Sequence, residues 1–176
     1  MTPASPLIVN QAVPAFTAVS TAGDVSLENY AGKALVLYFY PKDATPGCTM
    51  QGQNFRDCYD DFAAAGAEVV GVSRDNLKSH ESFRAKMGFP FALISDHDEA
   101  LCNLFGVIRM KNMYGKQVQG IERSTFVVGA DGKLLREWRG VRVPGHVEEV
   151  LEYVRSLRLD RNEPRAFDNE PLTTRL

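Results

Sequence analysis

The chain lacks most of the features that announce a function. Only three cysteines occur in 176 residues, Cys48, Cys58 and Cys102, and no two form a C-x-x-C pair. An odd count without paired spacing argues against a disulfide framework, and a chain of this length buries a core without one. The three histidines, His80, His97 and His146, are scattered and none stands at a ligand spacing from a cysteine, so no metal site is expected. Lysine and arginine number 20 against 22 acidic residues, and no basic block is present, which argues against nucleic acid as a partner. No apolar run approaches a membrane span. The opening "MTPASPLIVNQAVPAF" has no basic region and only a short apolar run, so no signal peptide is expected either, and the chain reads as cytoplasmic. In that compartment cysteines stay reduced, which directs attention to thiol chemistry or to inert burial.

What the chain does have is an alternation of periodicities. Strand patterns run over Phe16–Thr21 and Val25–Leu27 around "AGD", then Leu35–Tyr40, Glu68–Val72, Phe91–Ile94, Thr125–Val128 and Lys133–Trp138. Helical spacing predicts helices over Cys48–Ala65, Asn76–Met87 and Asp98–Phe105, and a last one from Pro144 with Val147, Val150, Leu151, Val154 and Leu157 on one face. Strands alternating with single helices imply an α/β fold, a central mixed sheet with helices on both faces and an N-terminal hairpin. A second hairpin closes the sheet at Asp131-Gly132. One domain, 1–160, is expected. The remainder, 161–176, holds two prolines and many charges without periodicity, and reads as a mobile C-terminal extension.

The segment "YPKDATPGCTMQGQNF" is the unusual one. It runs a strand into a stiff loop of two prolines and a glycine and sets Cys48 at the start of a helix. Unpaired N–H groups and the dipole at a helix start favour an anion, and a thiolate is one. Thr45 brings a hydroxyl to the same loop. A buried, inert cysteine is the bland alternative, but loops lie at the surface and carry function. A cysteine phosphatase would place an arginine at position 54, which is Asn, and a thioredoxin-type oxidoreductase would place a second cysteine at position 51, which is Gln. The acidic run "SDHDE", Ser95–Glu99, reads more simply as a helix cap than as a set of metal ligands.

Pro41, Thr45 and Cys48 match the P-x-x-x-T-x-x-C pattern of peroxiredoxins. "YFYPKDATPGCT" resembles in particular the bacterioferritin comigratory protein, or peroxiredoxin Q, group. "VVGVSRD", "SHESFRAKMGFPFALISDHDEALCNLFGV", "KNMYGKQVQGIERSTFVV" and "DGKL" resemble that group in the same order, covering about Pro6 to Leu159. The resemblance implies a thioredoxin fold and reduction of hydrogen peroxide and alkyl hydroperoxides, without metal or organic cofactor. It implies that Cys48 is the peroxidatic nucleophile, Thr45 the hydroxyl that bonds thiolate and peroxide, and Pro41 the residue that shields them. Arg123 of "GIERSTF" matches the family arginine, and a fixed guanidinium beside the sulfur favours the thiolate and holds a peroxide oxygen. The group includes monomers and homodimers.

Two departures from the group bear on the cycle. The positions where its members usually carry a resolving cysteine hold Gln53 and Arg84 here. Cys58 lies ten residues beyond Cys48 along an expected single helix, about 15 Å of rise, whereas a disulfide needs Cα atoms about 5.5 to 6 Å apart. Cys58 and Cys102 both have apolar neighbours and read as packing residues. The expectation is a 1-Cys cycle, with thioredoxin or glutathione and glutaredoxin as reductant. A 2-Cys cycle through Cys58 or Cys102 is the alternative. A peroxide sensor without turnover, and a flavodoxin-type binding domain, are readings from other classes. Phe39, Tyr40 and the "KNMYG" segment, Lys111–Gly115, are the expected walls of the peroxide pocket.

Overall fold

The computed structural model describes residues 7–162. Its strands are β1 (Thr17–Ser20), β2 (Gly23–Ser26), β3 (Ala34–Phe39), β4 (Ala67–Ser73), β5 (Ala92–Ser95), β6 (Ile108–Met113), β7 (Lys116–Ile121), β8 (Ser124–Val128) and β9 (Leu134–Arg139). The helices are α1 (Pro46–Asp57), α2 (Tyr59–Ala64), α3 (Leu77–Met87), α4 (Ala100–Leu104) and α5 (His146–Asn162). Seven strands form one sheet in the order β2-β1-β5-β4-β3-β8-β9, parallel between β3, β4 and β5 and antiparallel elsewhere. This is the mixed sheet expected, with the N-terminal hairpin β1–β2 at one edge.

The central strand β3, "ALVLYF", is apolar and buried throughout because both of its faces are covered. Its side chains alternate between two cores. Val36 and Tyr38 face a core that also contains Cys48, Phe55, Phe62, Phe83 and Val150, so α1, α2, α3 and α5 cover that side. Leu35, Leu37 and Phe39 face a second core with Leu101, Cys102, Phe105 and Phe126, under α4.

Local chemistry sets the helix ends. Asn76 caps α3 by accepting the Ser79 N–H at 2.8 Å, and Gly88 closes it at φ 66°, a conformation that suits a residue without Cβ. Asp96 takes the Leu101 and Cys102 N–H groups on its two oxygens at 2.9 and 2.7 Å, and Asp98 takes that of Ala100 at 3.1 Å. The acidic run therefore serves as the cap for α4.

Three features differ from the sequence-based expectation. The helix expected over Cys48–Ala65 is two helices, broken at Cys58, whose backbone turns to φ −101° and ψ 6°. Segment 108–121, which held no expected strand, is the hairpin β6–β7, a sheet of its own outside the main one. Helix α5 continues through Asn162, so Arg161 and Asn162 belong to it, and the rest of the expected extension, 163–176, lies outside the described residues. Among the described residues no helix is long and apolar enough to cross a membrane.

Candidate active site

The site is assembled where β3 ends. From Phe39 the chain passes through the loop Tyr40–Thr45 into α1, with Thr45 as the extended N-cap and Pro46 at the first helical position, where its missing N–H costs nothing. Cys48 is the third residue of α1 and 2% exposed. The register of the sheet brings its partner alongside. Phe39 pairs with Ser124, so Arg123, the residue before β8, is carried to the mouth of the same loop. The Val141 N–H donates to the Arg123 carbonyl at 2.9 Å and fixes the backbone there.

The guanidinium of Arg123 is a two-pronged bridge. Nη2 donates to Cys48 Sγ at 3.4 Å, and Nη1 donates to Gln51 Oε1 at 2.6 Å. Gln51 follows Cys48 by three residues on α1 and therefore lies on the same helical face. It is fully buried, and its Nε2 has no partner among the described residues. A carboxylate at this position would offset the charge of Arg123; the neutral amide fixes the fork and leaves that charge directed at the sulfur. Gly47 makes the approach possible, because a Cβ there would stand 3.2 Å from Nη2. Tyr38 lies beside these groups, and its pKa is pushed well above 10, first by burial and then by the charges of Cys48 and Asp43, with Arg123 acting in the opposite sense. It stays a neutral phenol.

Thr45 and Pro41 are half-buried in the loop before α1. The Thr45 hydroxyl donates to the Lys42 carbonyl at 2.9 Å. With its proton committed, its oxygen has lone pairs left to accept a hydrogen bond from a peroxide O–H. Tyr40 shares the Cys48 core, whereas Phe39 faces the opposite core, against Phe105 and Phe126, on the far side of the sheet from the site. The period of two along β3 requires that the two residues part company. Lys111–Gly115 forms the end of the β6–β7 hairpin, with Tyr114 almost wholly exposed.

The other cysteines have different surroundings. Cys58, at the junction of α1 and α2, is partly buried against the Cys48 core; burial comes first in raising its pKa, followed by the charges of Glu148, Asp61 and Asp57. Cys102 is 0% exposed in the core on the far side of the sheet. Burial drives its pKa far up, and a hydrogen bond to Asp96 and the charge of that carboxylate add to the effect.

The model of the AhpC/TSA family matches residues 9–136. Over 133 residues, 76% of this chain and 83% of the relative, the chain is 54% identical to peroxiredoxin Bcp of Xanthomonas campestris pv. campestris. The chain belongs to the peroxiredoxins. It is 44% identical over 133 residues to peroxiredoxin Bcp of Bacillus subtilis, covering 76% of this chain and 85% of that one. The solved structure of Xanthomonas campestris peroxiredoxin Q superposes with a TM-score of 0.78 at 50% identity, covering 81% of this chain and 91% of the other. The group is therefore bacterioferritin comigratory protein, or peroxiredoxin Q, the fold is a thioredoxin fold, and the activity is that of a thiol peroxidase.

Of the residues singled out in the sequence, the structure brings Arg123 to Cys48 and sets Pro41 and Thr45 in the loop before it; it adds Gln51, which entered only as a residue that is not cysteine. Its spacing from Cys48 was the available signal. The partner of Gln51 was not visible, because Arg123 is 72 positions away.

Proposed function

We propose that Cys48 is the peroxidatic cysteine of a 1-Cys cycle that reduces hydrogen peroxide and organic hydroperoxides. The observation that carries this reading is the Arg123 Nη2 to Cys48 Sγ contact of 3.4 Å at the first turn of α1. The thiolate attacks one peroxide oxygen in line with the O–O bond. That bond breaks as the S–O bond forms, and the departing oxygen leaves as water or an alcohol after taking a proton. Arg123 supplies fixed positive charge where the departing oxygen gains negative charge, and Thr45 accepts the hydrogen bond of the attacked O–H. Cys48 is left as the sulfenic acid. An external thiol then attacks its sulfur, releasing water and forming a mixed disulfide, which a second thiol reduces. Thioredoxin, or glutathione with glutaredoxin, fits this role. Organic hydroperoxides are included because a 49% identical structure, that of the Xanthomonas campestris bacterioferritin comigratory protein, is described in terms of alkyl peroxide reduction.

The 1-Cys form is supported by the placement of the other thiols. Cys102 lies across the sheet from Cys48, and Cys58 is separated from it by most of α1. The helix break at Cys58 favours one rival: a 2-Cys cycle in which α1 unwinds from that junction and Cys58 resolves the sulfenic acid. The double variant Cys58→Ser with Cys102→Ser separates the two. Full turnover with a thiol donor supports the 1-Cys cycle, and arrest at the sulfenic acid supports the rival.

A further inference from the structure

The loop that leads to Cys48 is also held by a buried polar cluster around Asp43. Asp43, in the middle of the loop, is almost fully buried; it accepts from Tyr40 Oη at 2.7 Å on Oδ1 and from Ser79 Oγ at 2.8 Å on Oδ2, and His80 Nδ1 lies 2.7 Å from Oδ2. The Asp43 N–H donates to Asp75 Oδ2 at 2.8 Å, an oxygen that Ser73 Oγ also reaches at 2.6 Å. His80 is 0% exposed, and its second nitrogen, Nε2, stands 2.8 Å from the Ile94 carbonyl of β5. A carbonyl oxygen only accepts, so Nε2 carries a hydrogen. An ionised carboxylate only accepts, so Nδ1 carries one too. A neutral imidazole has a single N–H and satisfies one of these contacts. Asp43 and Tyr40 from the loop and Asp75 from the turn before α3 are titratable groups beside the ring, and β5 contributes the Ile94 carbonyl. The Tyr40 and Ser79 hydroxyls donate to the same carboxyl group, so the geometry gives Nδ1 as well as Nε2 the donor's part.

The next residue shows why the loop needs such an anchor. Ala44 adopts φ 65°, in the left-handed region that a residue with a Cβ enters only where its surroundings enforce it. Ala44 lies between Asp43 and Thr45, the N-cap of the helix that carries Cys48.

We propose that His80 is a positioning residue for the Cys48 loop: a buried imidazolium, protonated on both ring nitrogens, that grips Asp43 and thereby holds Ala44 and Thr45 in the conformation the peroxide reaction requires. This rests on Cys48 being the reacting thiol.

The test has two readouts, one of which is independent of activity. In ¹⁵N-histidine-labelled, fully reduced protein at neutral pH, with the His80 signals assigned by their loss in His80→Gln, both ring nitrogens of His80 are expected to be protonated. In Asp43→Asn the amide can donate to Nδ1, and His80 is expected to lose one ring proton. A neutral His80 in the unaltered protein, or one that keeps both protons in Asp43→Asn, overturns the proposal. The second readout is the rate of Cys48 oxidation by hydrogen peroxide beside its rate of alkylation by iodoacetamide. Misplacing a reacting group by about 1 Å costs about 10²-fold in rate. His80→Gln is therefore expected to lose about that factor with peroxide and much less with iodoacetamide, which needs no in-line alignment. An unchanged peroxide rate in folded His80→Gln overturns the positioning role; if that variant does not fold, the His80 signals are assigned by elimination from those lost in His97→Gln and His146→Gln, and an unchanged peroxide rate in Asp43→Asn overturns the positioning role instead. A Cys48 that fails to react with peroxide in the unaltered protein overturns the peroxidatic assignment instead, which the nitrogen spectra do not touch.

Discussion

Cys48 and Cys102 are both shut away from solvent, one on each face of the same sheet, and they are built for opposite ends. Cys48 is 2% exposed and Cys102 0%, so burial does not distinguish them. The sign of the neighbouring charge does. Cys48 receives a hydrogen bond from a guanidinium and occupies the first turn of a helix, the positive end of its dipole. Cys102 lies beside the Asp96 carboxylate, which together with burial drives its thiol pKa far up. Its backbone N–H is also committed to that carboxylate at 2.7 Å. A buried thiol becomes a nucleophile only where the protein supplies positive charge and an opening for substrate. Without those it is a small hydrophobe.

The comparison breaks most sharply at the sulfurs themselves. Cys48→Ser is expected to abolish peroxide consumption, whereas Cys102→Ser is expected to keep it within a factor of about two, since a buried, isosteric change of this kind acts mainly on stability; a steady-state peroxide assay on both variants checks this. The source of positive charge comes next. Arg123→Ala is expected to slow Cys48 oxidation by about 10²- to 10³-fold, the range for removing a preorganised electrostatic donor. Arg123→Lys is expected to recover only part of that loss, since an ammonium cannot bridge Gln51 and Cys48 as the fork does. Stopped-flow oxidation of the two variants measures the difference.

Smaller effects sharpen the picture. Gln51→Leu removes the acceptor of Arg123 Nη1 and is expected to cost about 1 to 3 kcal/mol in transition-state stabilisation, about 5- to 150-fold in rate. Gly47→Ala places a methyl group 3.2 Å from Arg123 Nη2, and the guanidinium has to yield by a few tenths of an ångström. Because the guanidinium is the end of a flexible side chain, the expected loss is smaller than that of Gln51→Leu.

A further prediction concerns stability. His146 bonds Thr125 Oγ1 at 2.8 Å, and burial lowers its pKa from 6.5 to about 4, despite opposing charge from Glu149. A histidine depressed in the folded state binds its proton more readily when unfolded. Its contribution is therefore present in full above pH 6.5 and is lost progressively as pH falls toward about 4. Denaturant titrations across that window should show a decline that is reduced in His146→Gln.

The sequence made the motif legible because its residues lie within one loop: Pro41, Thr45 and Cys48 need only a strand end and a helix start to be placed. Most strands of the sheet were legible for the same kind of reason, since an apolar run such as β3 has few alternatives. The β6–β7 hairpin was not. Both of its faces meet solvent along most of its length, so Met110, Met113 and Val118 form no buried alternation that a period of two can reveal. The break at Cys58 was hidden because Phe55, Tyr59 and Phe62 keep helical spacing across it. The placement of Phe39 was recoverable, because adjacent strand residues face opposite ways. The Gln51 and His80 contacts were beyond reach, since each depends on a partner dozens of positions away that only the folded sheet brings near.

The central claim is that Cys48 alone carries the peroxide chemistry, and intact-mass analysis tests it most directly. Fully reduced protein is mixed with one equivalent of hydrogen peroxide, with and without a sulfenic-acid trap such as dimedone, and the modified site is mapped. The account predicts a single trapped adduct on Cys48 with Cys58 and Cys102 still free thiols. A rapid loss of two hydrogens, mapped to a disulfide between Cys48 and either of the others, would contradict it and show that α1 unwinds during turnover.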